Sequence, residues 1–213
     1  MQRLLPGVIA MAAIVVASNI LVQFLILDGL LTWGAFTYPF AFLVTDLMNR
    51  VYGPHAARRV VFVGFVAGIL CSLIGSQIML QGDGYEYAAV ALRIAVGSGI
   101  AFLTAQLVDV FIFDRMRQEV WWRAPLASSV VGSALDTALF FTIAFSASIT
   151  LFPASANEEI SWAWEAVPLM NIGGLYPLWV SLAIADWMVK MTLALIALIP
   201  FRIAIGKILQ PSA

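Results

Sequence analysis

Six long apolar stretches alternate with short polar segments along the chain, covering approximately residues 7–27, 30–48, 60–80, 91–113, 124–152 and 175–200. A helix needs roughly 20 apolar residues to cross the hydrocarbon of a bilayer. Backbone groups in lipid must find their hydrogen-bond partners within the spanning segment, which favours helices. The short alternating strands of an outer-membrane barrel are not visible. The pattern therefore predicts an all-α polytopic membrane protein with six transmembrane helices.

Two segments need separate interpretation. The stretch at 7–27 is longer than the apolar core of a signal peptide and lacks a small-residue cleavage site, so we expect a retained first span. Residues 153–174, between spans five and six, combine polar side chains with Trp162 and Trp164. Tryptophan is enriched at membrane interfaces, which predicts an interfacial segment here.

The composition agrees with a chain whose main solvent is lipid. Of 213 residues, 62% are hydrophobic and 11% are charged, and the mean hydropathy is +0.98. This is too little charge for a water-facing surface, so we expect one transmembrane domain over residues 1–213. Cys71 and His55 are the only residues of their types. The sequence therefore predicts no disulfide, no Cys/His metal site and no cofactor.

The basic residues predict the orientation. Nine of the eleven fall on one side if both termini are cytoplasmic: Arg3, Arg50, Arg58, Arg59, Arg115, Arg117, Arg123, Arg202 and Lys207. Cytoplasmic loops carry an excess of Lys and Arg, so the asymmetry predicts an N-in, C-in protein with an even number of spans.

Charged residues also occur inside the predicted spans. Asp109 lies late in span four, Asp136 in the middle of span five, and Asp186 with Lys190 in the middle of span six. Asp46 lies near the inner end of span two. A charge at the centre of an isolated helix costs roughly 2.5–3.5 kcal/mol on insertion scales. We therefore expect these side chains to face a shared interior or a wet cavity.

The chemistry of these groups indicates a ligand class. More acids than bases suit a cation, a proton or a molecule rich in N–H donors, and a carboxylate accepts two parallel hydrogen bonds from a planar N–H/NH₂ edge. Asp109 and Asp136 are the best predicted acceptors of substrate, because neither has a cation nearby in the sequence. Gln106 and Asn19 are predicted to support them, since each adds a polar group to the interior of its span. Tyr38, Phe40, Phe42 and Phe140 are candidates for stacking on a flat ring, although core or lipid contact is the commoner role of such residues.

Asp186 and Lys190 lie four residues apart and are predicted to form a pair that opens or exchanges protons during a cycle. The alternative is a purely structural pair. Asp46 is predicted to belong to an inner gate, with Arg50, Arg58 or Arg59 as its partner. The alternative for Asp46 is a helix-end salt bridge without a role in gating.

Small residues at four-residue intervals mark span three: Gly64, Gly68, Ser72 and Ser76. Such a face allows close helix packing, either within the chain or in a homodimer, which it permits. We expect the lipid bilayer and a small molecule as partners, and no nucleic acid.

Several motifs together resemble one known family. They are Pro39-Phe40, Thr45-Asp46, Tyr52-Gly53, Ala57-Arg58, Gln106-Leu107-Val108-Asp109, Gly132-Ser133-Ala134-Leu135-Asp136-Thr137, Asp186-Trp187-Met188-Val189-Lys190 and, in span one, Ser18-Asn19. Spread over essentially the whole chain, they are similar to the queuosine precursor transporters of bacterial inner membranes, also known as the vitamin uptake transporter family.

The resemblance implies uptake of 7-cyano-7-deazaguanine and 7-aminomethyl-7-deazaguanine, which are precursors of the tRNA modification queuosine. Both molecules carry the guanine-like donor edge, and the aminomethyl compound is a cation. One departure is Arg50, where many members of the family carry Glu. The departure bears on gating and on substrate range.

Two other functions compete with a stand-alone carrier. One is a substrate-binding membrane subunit of an ATP-driven energy-coupling-factor importer; the chain itself has no G-x-x-x-x-G-K-[ST] motif for nucleotide. The other is an intramembrane enzyme. A zinc hydrolase lacks its ligands here, and a paired-aspartate protease would need two carboxyl groups that share a proton, without a local protease motif around Asp109 or Asp136. We therefore predict a transporter and not an enzyme.

Overall fold

The computed structural model describes residues 4–21, 24–26, 31–81 and 86–209. Its helices are α1 Leu5–Leu21, α2 Gly34–Thr37, α3 Pro39–Tyr52, α4 Pro54–Gly75, α5 Leu92–Met116, α6 Arg123–Phe145, α7 Ala154–Glu158 and α8 Leu178–Ile208. Short 3₁₀ turns follow at Ser161–Trp164 and Leu169–Asn171. The protein is thus mostly helical, as the apolar stretches predict.

Four helices in the described part of the chain are long and apolar enough to cross a membrane, namely α4, α5, α6 and α8. The helix α1 has 17 residues and is about 25 Å long, which is slightly short of the hydrocarbon thickness. The helix α3 has 14 residues and follows the single turn of α2. The predicted count of six spans therefore stays a prediction for these two segments.

Several predicted spans differ in extent from the helices, including span one, where α1 ends at Leu21, span three, where α4 is Pro54–Gly75, and span six, where α8 continues to Ile208. Spans two and five differ for identifiable reasons. Span two, predicted as one helix over 30–48, is divided at Pro39, which has no N–H to donate, and its second part continues to Tyr52. Span five was predicted to reach residue 152, but α6 ends at Phe145 and Ser146 is extended. The apolar residues after Ser146 were mistaken for helix because apolarity alone does not distinguish a loop packed at the end of a bundle.

Three short two-stranded antiparallel ladders occur in the connections of this mostly helical chain. The strands β1 Leu25–Ile26 and β2 Leu31–Thr32 join α1 to α2, β3 Met79–Gln81 and β4 Glu86–Ala88 join α4 to α5, and β5 Ala166–Pro168 and β6 Leu175–Pro177 precede α8. Their registers are Leu25 opposite Thr32, Leu80 opposite Tyr87, and Val167 opposite Tyr176. All three ladders lie in connections at the same end of the bundle.

The opposite end gathers the basic residues, and we refer to it as the basic end. Gly53, at φ +89°, makes a one-residue turn from α3 to α4. Arg50 Nη1 donates to the Arg117 carbonyl at 2.5 Å, and Arg117 Nη2 donates to the Arg50 carbonyl at 2.9 Å, so this turn packs on the α5–α6 turn. Arg202 near the end of α8 lies 4.9 Å above the Trp121 ring. This clustering supports the predicted N-in, C-in orientation, which is still a prediction.

The small residues of α4 pack inside the chain. A Cβ atom placed on Gly64 would lie 2.6 Å from Met11 of α1 and 3.1 Å from Phe102 of α5. Ser72, two turns further along α4, is also buried. The face that permits a homodimer in the sequence is therefore used for packing between α4 and its neighbours.

Arg93 closes the end of the bundle that carries the ladders. Its side chain is fully buried at the start of α5. Its guanidinium donates to the carbonyls of Ile143 and Ser146 at 3.0 and 2.7 Å and to Asn157 Oδ1 at 2.8 Å. It therefore satisfies carbonyls that the end of α6 leaves without intrahelical partners, and it ties α7 to the bundle.

We predict that Arg93→Met lowers the free energy of unfolding by about 3 kcal/mol, because buried carbonyls at the end of α6 lose their donors. Thermal unfolding in detergent measures the change, with Leu92→Met on the exposed neighbouring position as the control. Arg93→Lys should lower the free energy of unfolding by less, because its ammonium still donates hydrogen bonds, although without the planar set of donors of a guanidinium. An unchanged unfolding temperature for Arg93→Met would contradict a stabilising role for the Arg93 hydrogen bonds.

Candidate functional site

A buried lysine joins two aspartates at the centre of the bundle. Lys190 Nζ on α8 lies 2.7 Å from Asp136 Oδ2 on α6 and 2.5 Å from Asp186 Oδ2, one turn earlier on α8. Thr137 Oγ1 accepts from Lys190 at 3.1 Å and donates to Asp186 Oδ2 at 2.7 Å. The predicted Asp186–Lys190 contact is present, and Asp136 joins it from another helix.

Tyr38 completes this cluster from the junction of α2 and α3. Its hydroxyl donates to Asp136 Oδ1 at 3.0 Å, and its ring centroid lies 5.4 Å from Lys190 Nζ, which is within cation–π range. Two carboxylates and one ammonium leave a formal excess of one negative charge. We refer to Tyr38, Asp136, Thr137, Asp186 and Lys190 as the lysine network.

A second polar group lies closer to the basic end. Asp46 of α3 accepts hydrogen bonds from Ser128 at 3.2 Å and Ser129 at 3.4 Å, both on α6. Asp109 of α5 faces Asp46 within hydrogen-bonding range and is fully buried. The Ser128 hydroxyl lies near both acids and is within hydrogen-bonding distance of Asp46 Oδ1 and of the Pro125 carbonyl, whereas neither oxygen of Asp109 has a hydrogen-bond partner.

The arginines predicted to pair with Asp46 lie elsewhere. Arg50 donates to the backbone carbonyls of Arg117 and Trp121 at the basic end, and Arg58 and Arg59 are exposed on α4. None of the ion pairs in the described residues joins Asp46 to an arginine. Proximity in sequence was misleading because unpaired carbonyls of the α5–α6 turn accept the Arg50 guanidinium instead.

Gln106 belongs to the interface between α3 and α5. Its Oε1 lies 2.6 Å from Thr45 Oγ1, while its Nε2 has no hydrogen-bond partner. Asn49, one turn beyond Thr45, donates to the Val110 carbonyl at 3.0 Å. The side chain of Asn19, the remaining predicted site residue, lies outside the described part of the chain.

A small cavity separates the lysine network from the basic end. Its polar wall consists of Asp46, Ser129, Ser133 and Lys190. Its apolar wall consists of Pro39, Phe42, Leu43, Pro125, Ala194, Ala197, Leu198 and Phe201. The volume open to the centre of a water molecule is about 20 Å³, which is room for about one water. A bicyclic ligand therefore requires the helices around it to move apart.

The cavity is closed at the basic end by apolar packing. Phe201 lines the cavity and packs edge-on against Phe113, with ring centroids 6.2 Å apart, and Ala124 is buried beside them. An apolar cluster therefore stands where the sequence predicted a salt bridge between Asp46 and an arginine.

The four aromatic candidates for stacking have different surroundings. Phe42 lines the cavity, and Tyr38 belongs to the lysine network. Phe40 is largely exposed on the surface of α3, and Phe140 packs against Phe141 and Phe145. Only the first two of these rings lie close to the acids.

These polar helices belong to a recognised family. Residues 32–205 match the family described as "putative vitamin uptake transporter". The chain belongs to this family. The match spans all the acids described above, and it makes the chain a transporter rather than an enzyme. Together with the apolar helices, it indicates a multi-pass bacterial membrane protein.

Relatives in the vitamin uptake transporter family cover most of the chain. A queuosine precursor transporter of Escherichia coli (strain K12) is 40% identical over 157 residues, which are 70% of this chain and 71% of the relative. A "probable queuosine precursor transporter" of Haemophilus influenzae is 32% identical over 187 residues, 84% and 70% of the two chains. A "probable queuosine precursor transporter" of Bacillus subtilis (strain 168) is 26% identical over 192 residues, which are 84% of this chain and 72% of the relative. No solved structure is significantly similar to the chain.

Sequence reasoning missed three partners in this site. Tyr38 is predicted only as a stacking ring, Thr137 appears only as the last residue of a family motif, and Ser128 is not among the predicted site residues. Thr137 follows Asp136 directly, but neighbouring residues lie about 100° apart around a helix, so the sequence does not place the two on one face. Ser128 and Tyr38 are recognisable only once the helices are packed together.

Proposed function

We propose that the protein imports 7-cyano-7-deazaguanine and 7-aminomethyl-7-deazaguanine across the bacterial inner membrane for queuosine synthesis. The observation that carries this proposal is the similarity to relatives named as queuosine precursor transporters, over 70% or more of the chain. The cavity chemistry is compatible with it, because carboxylates beside aromatic rings suit a flat molecule with an N–H/NH₂ edge.

Asp136 is the proposed acceptor of that edge. In this closed form the two oxygens of Asp136 accept hydrogen bonds from Tyr38 and Lys190. The two parallel N–H groups of a deazaguanine replace both donors when substrate binds. Asp186 then keeps Lys190 neutralised while Asp136 binds substrate. None of the predicted acceptors Asp136, Asp109 and Gln106 lines the closed cavity itself. Asp136 is bonded to Lys190, which does line it, whereas Asp109 faces Asp46 and Gln106 is bonded to Thr45, so we place Asp109 and Gln106 behind the binding surface.

The site suggests two closures for an alternating-access cycle. The lysine network blocks the path toward the ladders, and the Phe113–Ala124–Phe201 cluster blocks the path toward the basic end. We propose that these closures open in turn and that the chain crosses the membrane six times, with α1 and the α2–α3 pair as the first two crossings and both termini inside.

Uptake by the purified chain in liposomes tests the proposal. Labelled 7-cyano-7-deazaguanine should enter saturably, without ATP or a second subunit, and unlabelled 7-deazaguanine should compete. A 7-deazahypoxanthine competitor, which lacks the 2-amino group, should be about tenfold weaker, because one charge-assisted hydrogen bond is lost. Binding without entry would instead indicate the substrate-binding subunit of an ATP-driven importer.

A further inference from the structure

Acidic side chains outnumber basic ones around the cavity. Four aspartates, Asp46, Asp109, Asp136 and Asp186, lie in the bundle interior, and Lys190 is shared by the last two. None of the ion pairs between described residues places an ammonium or guanidinium on the Asp46–Asp109 pair. Each of the two side chains is at most 2% exposed, so bulk water does not solvate their charge.

In the described part of the chain, the elements packed around this pair bring no cation into contact with it. On α3, Arg50 interacts with Asp46 only at longer range, because its guanidinium is bonded to the backbone carbonyls at the basic end. On α5, Asp114 and Arg115 lie beyond Asp109 and are exposed, and on α4 His55, Arg58 and Arg59 are exposed as well. The helix α6 contributes the hydroxyls of Ser128 and Ser129, both to Asp46. The described part of α1 has no charged residue, and Lys190 of α8 is occupied by Asp136 and Asp186.

Asp109 is the decisive member of the pair. It is fully enclosed, its two oxygens accept from no protein donor, and the group it faces is another carboxyl. Two carboxyl groups this close cannot both be ionised, and they interact favourably only when one proton lies between them. A proton is thus the ligand that satisfies the unpartnered oxygens without any movement of the helices.

The pair is also connected to the cavity. Asp46 forms part of its polar wall, and Asp109 stands directly behind Asp46. Gly132 of α6 leaves no space beside them, because a Cβ there would lie 2.8 Å from Phe42 and 3.4 Å from Asp109 Cβ. Asp46 is therefore the point at which water in an opened cavity exchanges a proton with the buried pair.

We propose that the Asp46–Asp109 pair is a proton-binding site that couples substrate uptake to the proton gradient. This inference rests on the proposed import function. The pair takes up one proton when the cavity is open to the acidic outside, and it releases that proton when the cavity opens to the cytoplasm with the pair exposed to water. No bond other than the O–H bond forms or breaks, and one proton enters with each substrate molecule.

The test uses the purified full chain in liposomes with the membrane potential clamped at zero. With an inward proton gradient of two pH units, the amount of labelled 7-cyano-7-deazaguanine inside the vesicles should be at least tenfold greater than without a gradient. The increase should be the same in potassium and in sodium buffers. A pH dye trapped inside the vesicles should also report acidification when substrate is added outside without a gradient. Accumulation that follows sodium, or substrate entry without acidification, would overturn the proton site.

Variants separate this inference from the function on which it rests. Asp109→Asn should lose the accumulation driven by the proton gradient, while exchange of labelled for unlabelled substrate stays measurable. Asp114→Asn, on the same helix and exposed, is the matched control and should accumulate substrate like the wild type. Gradient-driven accumulation by Asp109→Asn would refute the proposed proton site. If the wild type shows no exchange at all, the import function itself fails, whereas exchange without a proton response refutes only the coupling.

Discussion

Replacing Lys190 by methionine is expected to destabilise the protein more than any other single substitution in the lysine network. The change removes the ammonium that lies 2.7 Å from Asp136 and 2.5 Å from Asp186, and it leaves both carboxylates buried without a cation. Breaking a buried ion pair from one side costs roughly 3–5 kcal/mol. Denaturation of the detergent-solubilised protein should therefore show a loss of this size, and much of the variant should be aggregated.

Neutralising the carboxylates that Lys190→Met leaves without a cation tests why that variant is less stable. Adding Asp186→Asn to Lys190→Met should recover part of the stability, and adding Asp136→Asn as well should recover more, because no uncompensated carboxylate then remains in the network. None of these combined variants should transport. If stability falls further with each added substitution, Lys190 contributes through its packing and not through its charge.

Replacing Asp136 by asparagine should abolish uptake while the fold persists. Asparagine has nearly the same volume and still accepts from Tyr38, and Asp186 still neutralises Lys190. It lacks the second anionic oxygen that receives a planar N–H/NH₂ edge. Loss of charge-assisted hydrogen bonds of this kind predicts a decrease in uptake of about 100-fold. Initial rates in liposomes measure it, with gel filtration and thermal unfolding as checks on folding.

The matched control for this variant is Asp186→Asn. It removes the other carboxylate bound to Lys190 but leaves Asp136 in place with its two donors. We expect uptake to fall less than tenfold, because the acceptor of the substrate is intact. Wild-type uptake by Asp136→Asn, or equal losses in both variants, would remove Asp136 from its proposed role.

The sequence predicted the local part of the site well. Asp186 and Lys190 lie one turn apart on a helix, so their contact follows from the helical period. The burial of the aspartates followed from the cost of placing a charge in hydrocarbon. Neither argument needed to know how the helices pack.

The parts that failed depend on packing between distant segments. Asp136 meets Lys190 across 54 positions of sequence, and Asp46 meets Asp109 across α3 and α5. Arg50 was expected to pair with Asp46 because it is one turn away, yet the free carbonyls of the α5–α6 turn compete for it. No pattern in the sequence indicates the hydrogen bonds of Arg93, because its partners are backbone carbonyls at the end of another helix.

The most direct test of the central claim asks whether substrate occupies the cavity between the lysine network and the basic end. Ala194 lines this cavity, so Ala194→Cys in a Cys71→Ser background places one thiol in it. In active liposomes, 7-cyano-7-deazaguanine should slow labelling of this thiol by a small maleimide, and the protection should be half-maximal at the concentration that half-saturates uptake. The protection should vanish when Asp136→Asn is added. Labelling that is equally fast with and without substrate, in a variant that still transports, would place the substrate elsewhere.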